Sequence, residues 1–147
     1  MPTHTTSASS SKPPADWRGR GVRRLRTKGG PRAPERVRDW LQQTVQWLPE
    51  DLESNLMLLT SELVNNSVLH GDVGEHQVIE IELRATDSGL RAEVTDPGPG
   101  FAPAGRTRDF DEPGGWGLVL VERLAASWGV ERDGRTRVWF ELAAAAA

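Results

Sequence analysis

The sequence predicts an α/β fold in one folded domain, and three observations carry that expectation. Apolar residues recur at helical spacing between residues 31 and 70; alternation takes over from Gln77; a further helical stretch and two short alternating runs close the chain. The length of 147 residues suits a single core plus a tail and leaves no room for a second catalytic domain.

The elements follow in order. Residues 1–15 are rich in Ser, Thr and Pro, with almost nothing apolar to offset ordering entropy, so a disordered tail is expected. The folded domain is expected over residues 16–142. Asp16 to Thr27 sets Val22 and Leu25 among arginines and reads as an edge strand, because charge there discourages further pairing. Pro31 and Pro34 open a helix in which Val37, Trp40, Leu41, Val45 and Leu48 recur, with Pro49 expected to end it. A second helix starts near Glu50 and Asp51, acids favoured by the helix dipole. It runs to about His70 with Leu52, Leu56, Leu59 and Leu63 inward and Gly71 as the stop.

Val78, Ile79, Ile81 and Leu83 then form a strand, Asp87-Ser88-Gly89 turns, and Leu90, Ala92 and Val94 return antiparallel. Gly98 to Pro113 carries no periodicity over sixteen residues and is expected to be a mobile lid. Trp116 to Ser127 reads as a helix, followed by strands at Trp128–Glu131 and Thr136–Leu142 around an Asp133-Gly134 turn; residues 143–147 are an alanine tail. Trp17, Trp40, Trp47, Trp128 and Trp139 read as core or interface fillers, and Trp116, between glycines, as packing over a ligand or the lid.

Composition narrows the function. The net charge of −3 gives no basic field for nucleic acid, and no apolar run approaches the roughly 20 residues of a membrane span. With no cysteine there is no disulfide, thiolate metal site or thiol nucleophile. The N-terminus lacks the apolar segment of a signal peptide, so a cytoplasmic location is expected.

Three motifs carry candidate chemistry. In Glu62-Leu63-Val64-Asn65-Asn66-Ser67-Val68-Leu69-His70-Gly71, steps of four place Glu62, Asn66 and His70 side by side on one helix face. A glutamate near a bound phosphate can take a proton or orient a hydroxyl. An asparagine oxygen one turn on can complete the octahedral shell of a magnesium ion that otherwise keeps water and phosphate oxygens. Taken alone, Glu-x-x-x-Asn equally describes the solvent side of an amphipathic helix.

Asp96-Pro97-Gly98-Pro99-Gly100 follows a strand, so the Asp96 carboxylate can accept from an exocyclic amine while glycines let a base approach the backbone. The plain alternative is an Asp-Pro-Gly turn. Gly114-Gly115-Trp116-Gly117 precedes a helix and offers free amides to a polyphosphate, or else serves as a hinge. It matches neither the Walker pattern nor Gly-x-Gly-x-x-Gly. His70 and His76 lack partners at zinc-ligand spacing and read as ordinary polar residues, as do Arg106 and Arg108.

Glu-Leu-Val-x-Asn with His70-Gly71, then Asp-x-Gly-x-Gly, Gly-Gly-x-Gly-Leu-x-Leu-Val and a closing Val-Trp-Phe-Glu-Leu together resemble the GHKL superfamily of ATP-binding domains. Within it, the chain looks most like the small single-domain anti-sigma factor serine kinases, over about residues 20–142. The resemblance implies a Bergerat-type two-layer α/β sandwich, with a mixed, largely antiparallel sheet covered on one face by helices, and ATP held between helices and lid. It implies Glu62 as general base, Asn66 as magnesium ligand, Asp96 as adenine contact and Gly98 and Gly100 as the turn under the base. Gly115, Trp116, Gly117 and Leu118 would hold the phosphates.

The family often has a threonine immediately before the final Val-Trp, where Arg137 stands here. Thr136 lies one residue early, and such an offset reverses a strand side chain's facing, so Thr136 is not counted as an adenine contact. The implied activity is an ATP- and Mg2+-dependent serine protein kinase that doubles as an anti-sigma factor. Its implied partners are a sigma factor and an anti-anti-sigma protein, with no direct nucleic acid or membrane contact, and proteins of this kind are often homodimers. The competing reading is a binding module in which ATP only orders the lid and a partner is sequestered without chemistry.

Overall fold

The computed structural model describes residues 21–69, 72–98 and 116–143. The N-terminal tail, the lid expected beyond Gly98, and His70, Gly71, Gly100, Gly114 and Gly115 lie outside them. The elements are β1 (Val22–Lys28), α1 (Ala33–Thr44), α2 (Glu50–Leu69), β2 (Val78–Ala85), β3 (Gly89–Asp96), α3 (Trp116–Leu124), β4 (Ser127–Arg132) and β5 (Thr136–Ala143).

Pro34 sits in the first turn of α1, where its missing N–H goes unused. The helix stops at Thr44, five residues before Pro49, and Val45 and Leu48 continue the buried stripe from the turn that follows. Glu50, Asp51 and Glu53 occupy the first turn of α2, where the helix dipole favours them. The β2–β3 hairpin closes through paired bonds between Thr86 and Gly89. A Cβ at Gly89 would lie 1.9 Å from the Leu142 carbonyl oxygen, so only glycine admits the neighbouring strand. At the β4–β5 turn, Gly134 takes φ +68°, a conformation glycine enters without strain.

The strand order is β1-β2-β3-β5-β4, and every pairing is antiparallel. Among the described residues there is therefore no parallel pair, which corrects the mixed sheet that the resemblance implied. β1 is an edge strand, as its arginines predict. β5 runs through Ala143, so the first residue of the expected alanine tail belongs to the sheet.

Alternation gives the sheet two unlike faces. Ile79, Ile81, Leu83, Leu90, Ala92, Val94, Phe140 and Leu142 point inward and are buried against Val37 and Leu41 of α1 and Leu52, Leu56, Leu59 and Leu63 of α2. This is the two-layer α/β arrangement that the resemblance implied. The opposite face is charged and largely self-neutralised: Arg26 meets Glu80 at 3.1 Å, Arg24 and Arg84 each meet Glu82 at 3.0 Å, and Arg91 meets Glu93 at 3.1 Å and Glu141 at 3.3 Å. Trp139 lies on this outer face rather than in the core, with the Arg91 guanidinium 4.1 Å from its ring centroid. Trp40 and Trp47 pack against the core, while Trp128 is 37% exposed on the edge strand β4.

Candidate functional site

Helix α2 and the end of β3 bring the candidate residues together. Glu62 is half-buried on α2, and Asn66 one turn later is 2% exposed. Both side-chain atoms of Asn66, Oδ1 and Nδ2, are buried without a hydrogen-bond partner. A buried carboxamide left unpaired costs about 1–3 kcal/mol, which marks the position as one that packing alone does not explain.

Asp96 ends β3 and is 3% exposed. Its Oδ1 accepts from the Gly98 backbone N–H at 2.8 Å, and its Oδ2 accepts from the Ser67 hydroxyl at 2.7 Å. The Gly98 contact closes a side-chain turn over Asp96-Pro97-Gly98, the plain alternative named from the sequence, and the same contact fixes the carboxylate. Ser67 was missed by sequence reasoning. A serine inside a helix reads as a spacer, and its partner lies 29 residues away.

Thr136 corrects the facing argument made from the sequence. It pairs directly with Asp96 across β3 and β5, shares its inward face and is buried. Arg137 points to the outer face and meets Glu131 at 3.3 Å. The cross-strand register, not the distance to Val-Trp, decides which of the two joins the Asp96 cluster.

Gly98 is buried beside Asp96. Gly100 and Gly115 fall outside the described residues, as does the comparison of His70 with Glu62. The backbone of Trp116, Gly117 and Leu118 forms the start of α3, which places the expected helix N-terminus directly after the glycines. His76 is exposed between α2 and β2. A cleft of about 280 Å³ touches Asp96 and Pro97 but opens among Arg26, Glu80 and Arg135. Those charges belong to the ion-paired outer face, so this cleft is distinct from the α2 side.

The histidine kinase-like ATPase domain family matches residues 30–142. The chain belongs to that family. Among solved structures, it is similar to the RsbU and RsbW domains of Rv1364c from Mycobacterium tuberculosis, with 22% identity and a TM-score of 0.60. The match covers 83% of this chain and 32% of that one, and it shows the shared fold. Among curated proteins, none matches significantly.

An ATPase domain of this family implies a nucleotide, and the residues present fit one. Asp96 offers fixed acceptors to a base amine, and Asn66 offers an unpaired oxygen to a cation. Among the described residues, no three His, Cys, Asp or Glu side chains gather as a metal site. A magnesium ion on a nucleotide commonly takes most of its oxygens from phosphate and water, so one protein oxygen such as that of Asn66 suits it. No helix among the described residues is long and apolar enough to cross a membrane.

Proposed function

We propose that this chain is an ATP-dependent serine protein kinase that also sequesters a sigma factor, with an anti-anti-sigma protein as the phosphorylated partner. The observation that carries the reading is the buried, unpaired Asn66 carboxamide one turn from Glu62, on the helix that Ser67 ties to Asp96. The histidine kinase-like ATPase family match over residues 30–142 adds support for a nucleotide at this site.

In this reading Asp96 and Thr136 receive the adenine end of ATP, and Asn66 faces the phosphates. The Asn66 oxygen would help hold a magnesium ion, which would supply neutralisation of phosphate charge. Glu62 orients the partner's serine hydroxyl and accepts its proton as the hydroxyl oxygen bonds to the γ-phosphorus. The bond from that phosphorus to the bridging oxygen breaks, leaving ADP and a phosphoserine. The amides near Gly115 and Gly117 supply donors to developing charge.

The experiment is a thermal unfolding midpoint with and without Mg·ATP, for wild type and Asp96→Asn, followed by transfer of labelled phosphate to a cognate anti-anti-sigma protein. Ligand at about 100 times its dissociation constant adds roughly 2.7 kcal/mol. A shift lost in Asp96→Asn, with label appearing on the partner and slowed by Glu62→Ala, supports the proposal. A shift without any label sinks the kinase part and leaves the ATP-ordered binding module.

A further inference from the structure

We infer that Ser67 is a positioning residue that fixes the Asp96 carboxylate and thereby sets selection for a nucleobase bearing an exocyclic amino group over one bearing an oxo group. This inference rests on the proposed nucleotide site and names what that site discriminates.

A serine hydroxyl carries a single donor, and Ser67 has two acceptors within reach: the Leu63 carbonyl at 3.3 Å and Asp96 Oδ2 at 2.7 Å. Bonding to the carbonyl four residues back is the ordinary fate of a serine inside a helix and would leave it without a role beyond the helix. Here that contact is long for a hydroxyl donor, while the carboxylate contact sits at the optimal O–H···O length. Both residues are almost fully buried, Ser67 at 4% and Asp96 at 3%, so water does not compete freely for either.

Gly98 N–H holds the other carboxylate oxygen at 2.8 Å. With one donor on each oxygen, the carboxylate cannot rotate about its terminal bond without breaking both contacts. Each oxygen accepts about two hydrogen bonds, so one acceptor site per oxygen stays open in a fixed direction. An amino group supplies the matching N–H. An oxo group at the same ring position would set lone pairs against lone pairs in a buried place, which is the costly kind of mismatch.

The contact also spans two elements. Ser67 follows Asn66 on α2, and Asp96 ends β3, so the hydroxyl ties the helix bearing Glu62 and Asn66 to the strand end that receives the base. Losing it frees the carboxylate to turn and loosens the spacing between the two ends of the ligand.

The test compares dissociation constants of Mg·ATP and Mg·ITP, which differ at the base by amino against oxo, for the full chain and three variants. Wild type should favour ATP by on the order of 100-fold or more. Ser67→Ala and the nearly isosteric but weakly donating Ser67→Cys should each lose about ten-fold or more of that ratio. Ser67→Thr, which keeps the hydroxyl, should retain it. A role confined to stability would lower the midpoint of the unliganded protein and leave the ratio unchanged. If wild type selects ATP and both Ser67→Ala and Ser67→Cys select it equally well, the inference is overturned while the nucleotide site stands. If wild type binds neither nucleotide, the proposed function itself fails, and this inference with it.

Discussion

Replacing Asn66 with leucine should stabilise the unliganded protein while removing its response to Mg·ATP. Asn66 is 2% exposed, and neither Oδ1 nor Nδ2 has a hydrogen-bond partner. Leaving those groups desolvated and unpaired costs about 1–3 kcal/mol, a penalty that a leucine of similar size does not carry. For a folded unit of this size each kcal/mol moves the midpoint by about 3–5 °C, so Asn66→Leu should melt about 3–15 °C higher. The ligand-dependent shift should vanish, because the substituted side chain has no oxygen for a cation. The assay is thermal unfolding of both proteins in buffer, in magnesium alone and in Mg·ATP. A midpoint several degrees below wild type would show that the carboxamide is an integral part of the packing. A preserved Mg·ATP shift would show that Asn66 does not hold the ligand. Either result refutes the reasoning, since it requires stability and binding to move in opposite directions at one residue.

Thr136→Val should reduce ATP affinity several-fold, whereas Arg137→Ala, which breaks only the exposed Glu131 pair, should leave affinity intact and change stability by less than about 1 kcal/mol; calorimetric titration separates them. A Cβ on Gly129 would fall 2.7 Å from the Trp139 indole nitrogen, so Gly129→Ala should destabilise wild type. In a Trp139→Leu background the same change should stabilise, by about 0.5–1 kcal/mol in urea unfolding, since alanine loses less backbone entropy than glycine. Burial works to raise the Glu82 pKa, but Arg24 and Arg84 outweigh it and hold the carboxyl below its ordinary value. Its contribution is therefore present above the unfolded-state value of about 4.3 and lost as pH falls through the lower folded value. The stability gap between wild type and Glu82→Gln should be open near neutrality and close in acid.

The core of the molecule was readable because it repeats. Leucines at positions 52, 56, 59 and 63 keep one face of α2, and Ile79, Ile81 and Leu83 keep one face of β2, so burial follows from period alone. Trp139 was readable by the same rule: it shares parity with Arg137 and Glu141, while Phe140 and Leu142 point inward, and its aromatic character masked that signal. Glu62, Asn66 and Asp96 were legible as residue types at known spacings. Thr136 and Ser67 were not, because their place depends on register between distant segments. The pairing of Asp96 with Thr136 and the bond from Ser67 to Asp96 exist only once helix and strands have met.

The strand order places β3 beside β5, so Asp96 and Thr136 meet across a chain separation of 40 residues that contains α3 and β4. Closing so large a loop is slow compared with forming the local β2–β3 hairpin, and chains dominated by distant pairings fold slowly. In the proposed nucleotide site, the pair that receives the base therefore depends on this distant pairing, while α2 and the β2–β3 hairpin rest on local contacts. On the proposed reading, a chain lacking β5 keeps α2 with Glu62 and Asn66 but has no Thr136 beside Asp96, so binding is tied to the strand that completes that pair.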